Sequence, residues 1–155
     1  RCFARLLGDM RSYNFVAEIT PDIEDFQYRF RAIDFDQQSY EGQKKLYLPQ
    51  FYKENYEYVE LVLKNLSAEV IQQYQEEERT SIAYRVYSKR RQLVELLNAM
   101  VKDELSEHYK VKMLAAGLNE HFNTHAFSKC NTMGAIVKKQ LKQTVQFHLR
   151  KFGPM

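Results

Sequence analysis

Two short runs near the start of the chain alternate apolar and polar residues, and from Gln43 onward the apolar positions recur at the period of a helix. Phe15-Val16-Ala17-Glu18-Ile19 alternates as a half-buried strand does, and Phe26-Gln27-Tyr28-Arg29-Phe30-Arg31-Ala32-Ile33 alternates again. Between them Thr20-Pro21-Asp22-Ile23-Glu24-Asp25 is rich in turn formers, so the two runs read as a β-hairpin. A hairpin brings its ends together. It therefore sets Asn14, ahead of the first strand, beside Asp34, behind the second.

Past the hairpin the helical pattern dominates. Pro49 fits a helix start, and Phe51, Tyr52, Asn55, Val59, Val62, Leu63 and Leu66 mark one face. Ser67 suits the N-cap of the next helix, which carries Val70, Ile71 and Tyr74 up to the acidic run Glu76-Glu77-Glu78. Ile82, Val86, Leu93, Leu96, Leu97, Met100 and Val101 continue a long amphipathic stretch, and Asp103, Glu104, Glu107 and His108 read as a solvated junction. A further helix is predicted from Ser106 to about Asn119, with a loop over 123–131 behind it. Asn131 or Thr132 then caps a last helix with Met133, Ile136, Val137, Leu141, Val145 and Leu149 on one side. The fold class predicted is α+β and predominantly α. One domain spans 1–155: loops and hairpin over 1–42, then a bundle of about five helices over 43–155.

The loops flanking the hairpin carry the candidate chemistry. Asp9 and Asn14 lie in Gly8-Asp9-Met10-Arg11-Ser12-Tyr13-Asn14, and Ile33-Asp34-Phe35-Asp36 closes the second strand. Phosphoryl transfer from a nucleotide needs one carboxylate at the attacking hydroxyl, with an amide oxygen and a second carboxylate on the magnesium ions that neutralise the triphosphate. Asp9, Asn14 and Asp34 are of the right types for those roles. The bland reading makes them a turn residue, a residue leading into a strand and a strand-end carboxylate.

The spacing Asp-x-x-x-x-Asn, the hairpin and the Ile-Asp-Phe-Asp run resemble the C-terminal lobe of the protein-kinase-like superfamily over roughly the first forty residues. Gly8 before Asp9 and Asp36 in the third position of the metal motif make the likeness nearest to the aminoglycoside phosphotransferase and choline kinase branch. The resemblance implies an ATP- and magnesium-dependent phosphotransferase. In it Asp9 accepts or orients the proton of the acceptor hydroxyl, Asn14 and Asp34 bind nucleotide-bound magnesium, and Arg11 steadies the γ-phosphate. Asp36 assists the metal or caps the next loop. It also implies an N-terminal lobe, with a phosphate-covering loop and a lysine, that this chain does not supply; the chain, which starts at Arg1, reads as a piece of a longer protein and is expected to be inactive without that lobe. The acceptor stays open among a protein hydroxyl, a sugar, an antibiotic, a choline-like alcohol and a lipid headgroup. The alternative is a non-catalytic kinase-like scaffold or a helical protein-interaction domain, to which Asp36, where protein kinases hold a glycine, lends support.

Composition changes this picture little. The 155 residues suffice for one packed core, and eleven Tyr and ten Phe supply its aromatic content. The formal net charge of +3 identifies no partner. Lys129, Lys138, Lys139, Lys142, Arg150 and Lys151 follow Glu120 without another acid, yet the aromatics among them are too few to point to nucleic acid. His121, His125 and Cys130 lack a third and fourth zinc ligand at a recognised spacing and read as surface or core residues. Cys2 and Cys130 make no disulfide framework, which favours a reducing cytoplasmic setting. No run has the length of a membrane-spanning helix, and no secretory signal is visible.

Overall fold

A computed structural model describes residues 2–153; Arg1, Pro154 and Met155, the ends of the predicted domain, lie outside the described residues. The elements are strands β1 (Phe15–Pro21) and β2 (Phe26–Ala32), then helices α1 (Tyr56–Asn65), α2 (Ala68–Ser88), α3 (Arg90–Lys102), α4 (His108–Phe122) and α5 (Met133–Phe152). The molecule is thus α+β and predominantly α, with the hairpin near the N-terminus. The strands pair antiparallel from Phe15 opposite Ala32 to Pro21 opposite Phe26. Asp22 closes the turn: its carboxylate accepts from the Ile23 amide at 2.8 Å and from Gln27 Nε2 at 2.6 Å.

The core sits where the chain start, α4 and α5 meet. Leu6, Tyr47, Val111, Leu114, Leu118 and Phe127 are fully buried there, with Met133 and Ile136 from the first turns of α5 beside them. Each such side chain contributes about 1.5–3 kcal/mol on leaving water. Tyr47 keeps its polar end satisfied by donating to the Tyr40 carbonyl, and burial raises its phenol pKa well above the ordinary value.

Local chemistry sets the helix ends. Ser67 Oγ accepts from the Val70 amide at 3.4 Å, and Thr132 Oγ1 from the Ala135 amide at 3.1 Å, so both predicted caps are present. Asn123 ends α4 in the left-handed conformation at φ 47°, one of the few side chains that tolerate it. Glu104 does more than decorate a solvated junction. Its Oε2 accepts from the Met133 amide at 2.9 Å, placing a carboxylate at the positive end of α5.

Three expectations need correction. The helix anticipated from Pro49 is two short 3₁₀ turns, Pro49–Phe51 and Lys53–Asn55, with Tyr52 extended between them, and α1 begins only at Tyr56. Side chains bond carbonyls at and before the anticipated start: Asn55 Nδ2 donates to Pro49 O, which a helix would have used, at 2.9 Å, and Tyr52 Oη to Leu46 O at 2.9 Å. The hairpin is not half-buried. Its pleat collects Ala17, Ile19, Phe26, Tyr28 and Phe30 on one face, and the last four of these are 53–63% exposed because the described residues leave that face open. Helices α1 and α3 bury no residue fully; α3 meets the core through half-buried side chains such as Met100.

Gly134 sits where α5 crosses α3. A Cβ there would lie 2.6 Å from Val101 Cγ2 and 3.3 Å from the Val101 amide nitrogen. Gly134→Ala is therefore expected to destabilise the fold by about 1–3 kcal/mol in urea titration, the cost of overpacking. Adding Val101→Ala should recover most of the loss. A Gly134→Ala protein as stable as its parent would mean that the helices do not approach this closely.

Candidate functional site

The segment ahead of the hairpin is stitched to the segment behind it. Gly8 N donates to Gln37 O at 3.1 Å and Ser39 N to Leu6 O at 2.7 Å, making an isolated antiparallel bridge between Leu7 and Gln38. Glycine at position 8 serves this approach rather than a turn: its φ is not positive, but a Cβ would stand 2.8 Å from the Gln37 carbonyl oxygen. Because Leu6 and Leu7 are buried, the stitch is fixed to the helical core.

Asp9 follows at once, and its backbone is left-handed at φ 47°. Aspartate bears that conformation at lower cost than most residues, and a non-glycine residue held there is a mark of functional loops. Asn14 secures it. The buried Asn14 side chain donates from Nδ2 to the Asp9 carbonyl at 3.0 Å, and its own carbonyl accepts from Ile33 N at 3.0 Å, extending the strand pairing by one residue. Asp34 is therefore the next residue beyond the one bonded to Asn14. Among the described residues Asn14 Oδ1 has no hydrogen-bond partner.

Asp34 and Asp36 lie on one short turn, where Asp34 Oδ1 accepts from the Asp36 amide at 3.2 Å. The neighbouring Asp34 carboxyl raises the Asp36 pKa above the ordinary carboxylate value, first as a hydrogen-bond partner for the protonated form, with desolvation and the charges of Asp34 and Asp9 adding to it. The structure thus brings Asp34 and Asp36 into contact and Asp9 within electrostatic reach of the pair.

Arg11 is already engaged. Its Nη1 donates to Tyr13 Oη at 2.8 Å, and its guanidinium carbon lies 5.3 Å from the centre of the Tyr52 ring. Nε faces the Asp9 carboxylate at 3.4 Å and Glu54 at 3.9 Å as charge contacts without a hydrogen bond. The Tyr13 hydrogen bond and the Asp9 charge raise its already high pKa. Arg11 therefore neutralises and orients Asp9 in this conformation.

One residue with a strong hold on the loop carries no titratable group. Asn55, 4% exposed, donates from Nδ2 to Met10 O at 2.7 Å and to Pro49 O, while its Oδ1 accepts from Ser12 N at 2.9 Å. It clamps the middle of the loop from both sides. The signal for it was present in the sequence: an amide on a predicted apolar face must bond to something when buried.

No group of three or more His, Cys, Asp and Glu among the described residues is placed to hold a metal ion. His121 instead meets the Phe3 and Phe122 rings edge-on, with ring centres 5.0 and 4.8 Å away, and Cys130 is a core residue. The candidate donors at the hairpin, the Asp34 and Asp36 carboxylates and the Asn14 amide oxygen, are hard oxygens. They suit magnesium, which takes one or two carboxylates and fills the remaining positions with phosphate and water. No family model, curated protein or solved structure matches this chain.

Two outcomes are expected. Asn55→Ala should cost about 2–3 kcal/mol and speed amide exchange at Ser12, since it removes three bonds and strands buried partners; unchanged exchange at Ser12 would refute the clamp. A raised folded-state pKa at Asp36 means that the folded state favours the protonated carboxyl, first through hydrogen bonding with Asp34 and then through relief of repulsion, so that this stability is present in acid and is lost as pH rises through that pKa. Asp36→Asn should therefore raise the melting temperature at neutral pH, and the gain should vanish below about pH 4, where the parent carboxyl is protonated in both states. A gain that persists in acid would point to another cause.

Proposed function

We propose that the two loops around the hairpin form the catalytic half of a kinase-like phosphotransferase, which moves the γ-phosphate of ATP to a hydroxyl with the help of magnesium. One observation carries the reading. The Asn14 side chain is bonded to the Asp9 backbone and the Asn14 carbonyl to Ile33, the residue before Asp34, which supports a shared site for the three residues of the resemblance.

In this reading Asp34, Asp36 and the free Oδ1 of Asn14 hold the metal. Magnesium, when bound, neutralises the phosphates and relieves the Asp34–Asp36 repulsion. Asp9 takes or orients the proton of the acceptor hydroxyl, with its backbone held by Asn14 and its carboxylate steered by Arg11. Arg11 serves Asp9 first in the geometry seen here, and contact with the γ-phosphate requires it to leave Tyr13. The lobe that covers the nucleotide is proposed to dock on the apolar face of the hairpin, where Ile19, Phe26, Tyr28 and Phe30 are exposed.

A second reading, a non-catalytic kinase-like scaffold, is favoured by the Arg11–Asp9 contact, which occupies the carboxylate that should act as base. Calorimetry with magnesium and ATP on a protein that carries both lobes separates the two. Asp34→Asn should abolish magnesium-dependent nucleotide binding, whereas Asp9→Asn should leave binding intact and lower turnover by about a hundredfold or more. Equal nucleotide affinity in parent and Asp34→Asn would remove the metal role, and no binding by the parent would favour the scaffold.

A further inference from the structure

A second polar centre shares no residue with the carboxylate site. A cavity of about 500 Å³ opens between the 3₁₀ turn Phe3–Arg5, α2, the end of α4 and α5. That size fits a small metabolite, and among the described residues the lining holds two arginines and no Asp or Glu. Gln140, 3% exposed, donates from Nε2 to the Phe3 carbonyl at 3.4 Å, but its buried Oε1 accepts nothing. Gln143, one turn along α5, has its Oε1 buried and unpartnered in the same way.

Buried amide oxygens are nearly always bonded, so two orphans on one wall call for donors from something that enters. The arginines call for an anion. Arg79 is held in place by stacking on Phe147, its guanidinium carbon 4.4 Å from the ring centre, and neither Arg79 nor Arg150 forms an ion pair among the described residues. Water can bond the glutamine oxygens and solvate the half-buried Arg79 and the exposed Arg150, but only an anion adds charge neutralisation at the two guanidinium groups. A guanidinium fork matches phosphate oxygens in pairs. Phe122 and Phe147 supply apolar edges for the body of a ligand.

We propose that this cavity binds a small organic phosphate bearing hydroxyl groups, with the phosphate on Arg79 and Arg150 and the hydroxyls donating to Gln140 Oε1 and Gln143 Oε1. The site is independent of the carboxylates, since Asp9, Asn14, Asp34 and Asp36 take no part in its lining.

Ribose 5-phosphate, titrated calorimetrically into the full chain in magnesium-free buffer, tests it. Binding with a dissociation constant below about 1 mM is expected, with ribose and inorganic phosphate each weaker by about tenfold or more. Replacing both arginines, Arg79→Gln and Arg150→Gln, should weaken binding by about tenfold or more, and Gln140→Leu by severalfold, while melting temperatures stay near the parent value. Should Gln140→Leu unfold the protein, Gln143→Leu, at a half-buried position, reads out the same oxygen wall. Asp34→Asn should bind as the parent does. No binding up to about 10 mM, or affinity untouched by the arginine changes, overturns the proposal. Inorganic phosphate binding as tightly as ribose 5-phosphate overturns the part assigned to the glutamines.

Discussion

The antiparallel stitch between residues 6–8 and 37–39 is the constraint on which the candidate site depends. Leu6 is fully buried in the helical core, so the chain start cannot shift, and its carbonyl and the Gly8 amide reach across to Ser39 and Gln37. Without it Asp9 and the Asp34–Asp36 pair would sit on two separate loops. Fixing a backbone residue costs about 1–2 kcal/mol in lost entropy, more than one exposed hydrogen bond returns. Burial of Leu6 and Leu7 is what makes up the difference. A hydrophobic anchor thus holds polar groups in an arrangement that their own charges oppose.

The sequence made the hairpin and the order of the helices legible, because those follow from spacing alone. Alternation located β2 to within a residue, whereas β1 runs on through Thr20 and Pro21, which read as turn; Ser67 and Thr132 offered their caps by residue type. Helix initiation at Pro49 was not legible, since the Tyr52 and Asn55 side chains bond carbonyls at and before that start and no local pattern reveals those bonds. Burial of the hairpin was not legible either. Alternation tells which residues share a face but not whether anything covers that face.

For the candidate site the residue types could be read, but not their mutual state. Spacing set Asn14 near Asp34, yet only the structure shows Asn14 bonding the Asp9 backbone and Arg11 turned onto Asp9 and Tyr13. Asn55 looked like a blemish on an apolar stripe and is the clamp beneath the loop. Gln140 and Gln143 were passed over because an amide inside a helical pattern looks like any exposed polar position. Their significance lies in bonds they fail to make, and no sequence pattern encodes that.

The two polar centres differ in what they lack. At the hairpin, negative groups crowd together: Asp34 touches Asp36, and Asp9 adds its field, so the protein holds charge that a cation would quench. Across the cavity at α5, positive groups and bare acceptors face a space with no carboxylate. Folding tends to remove such imbalances, because unpaired charge and unbonded amides oppose the compact state. Leu6, Tyr47 and Phe127 are fully buried in the core, and Glu104 bonds the first amide of α5. Against that background an unmet electrostatic demand is informative, and the opposite signs of the two centres call for a cation at the first and an anion at the second.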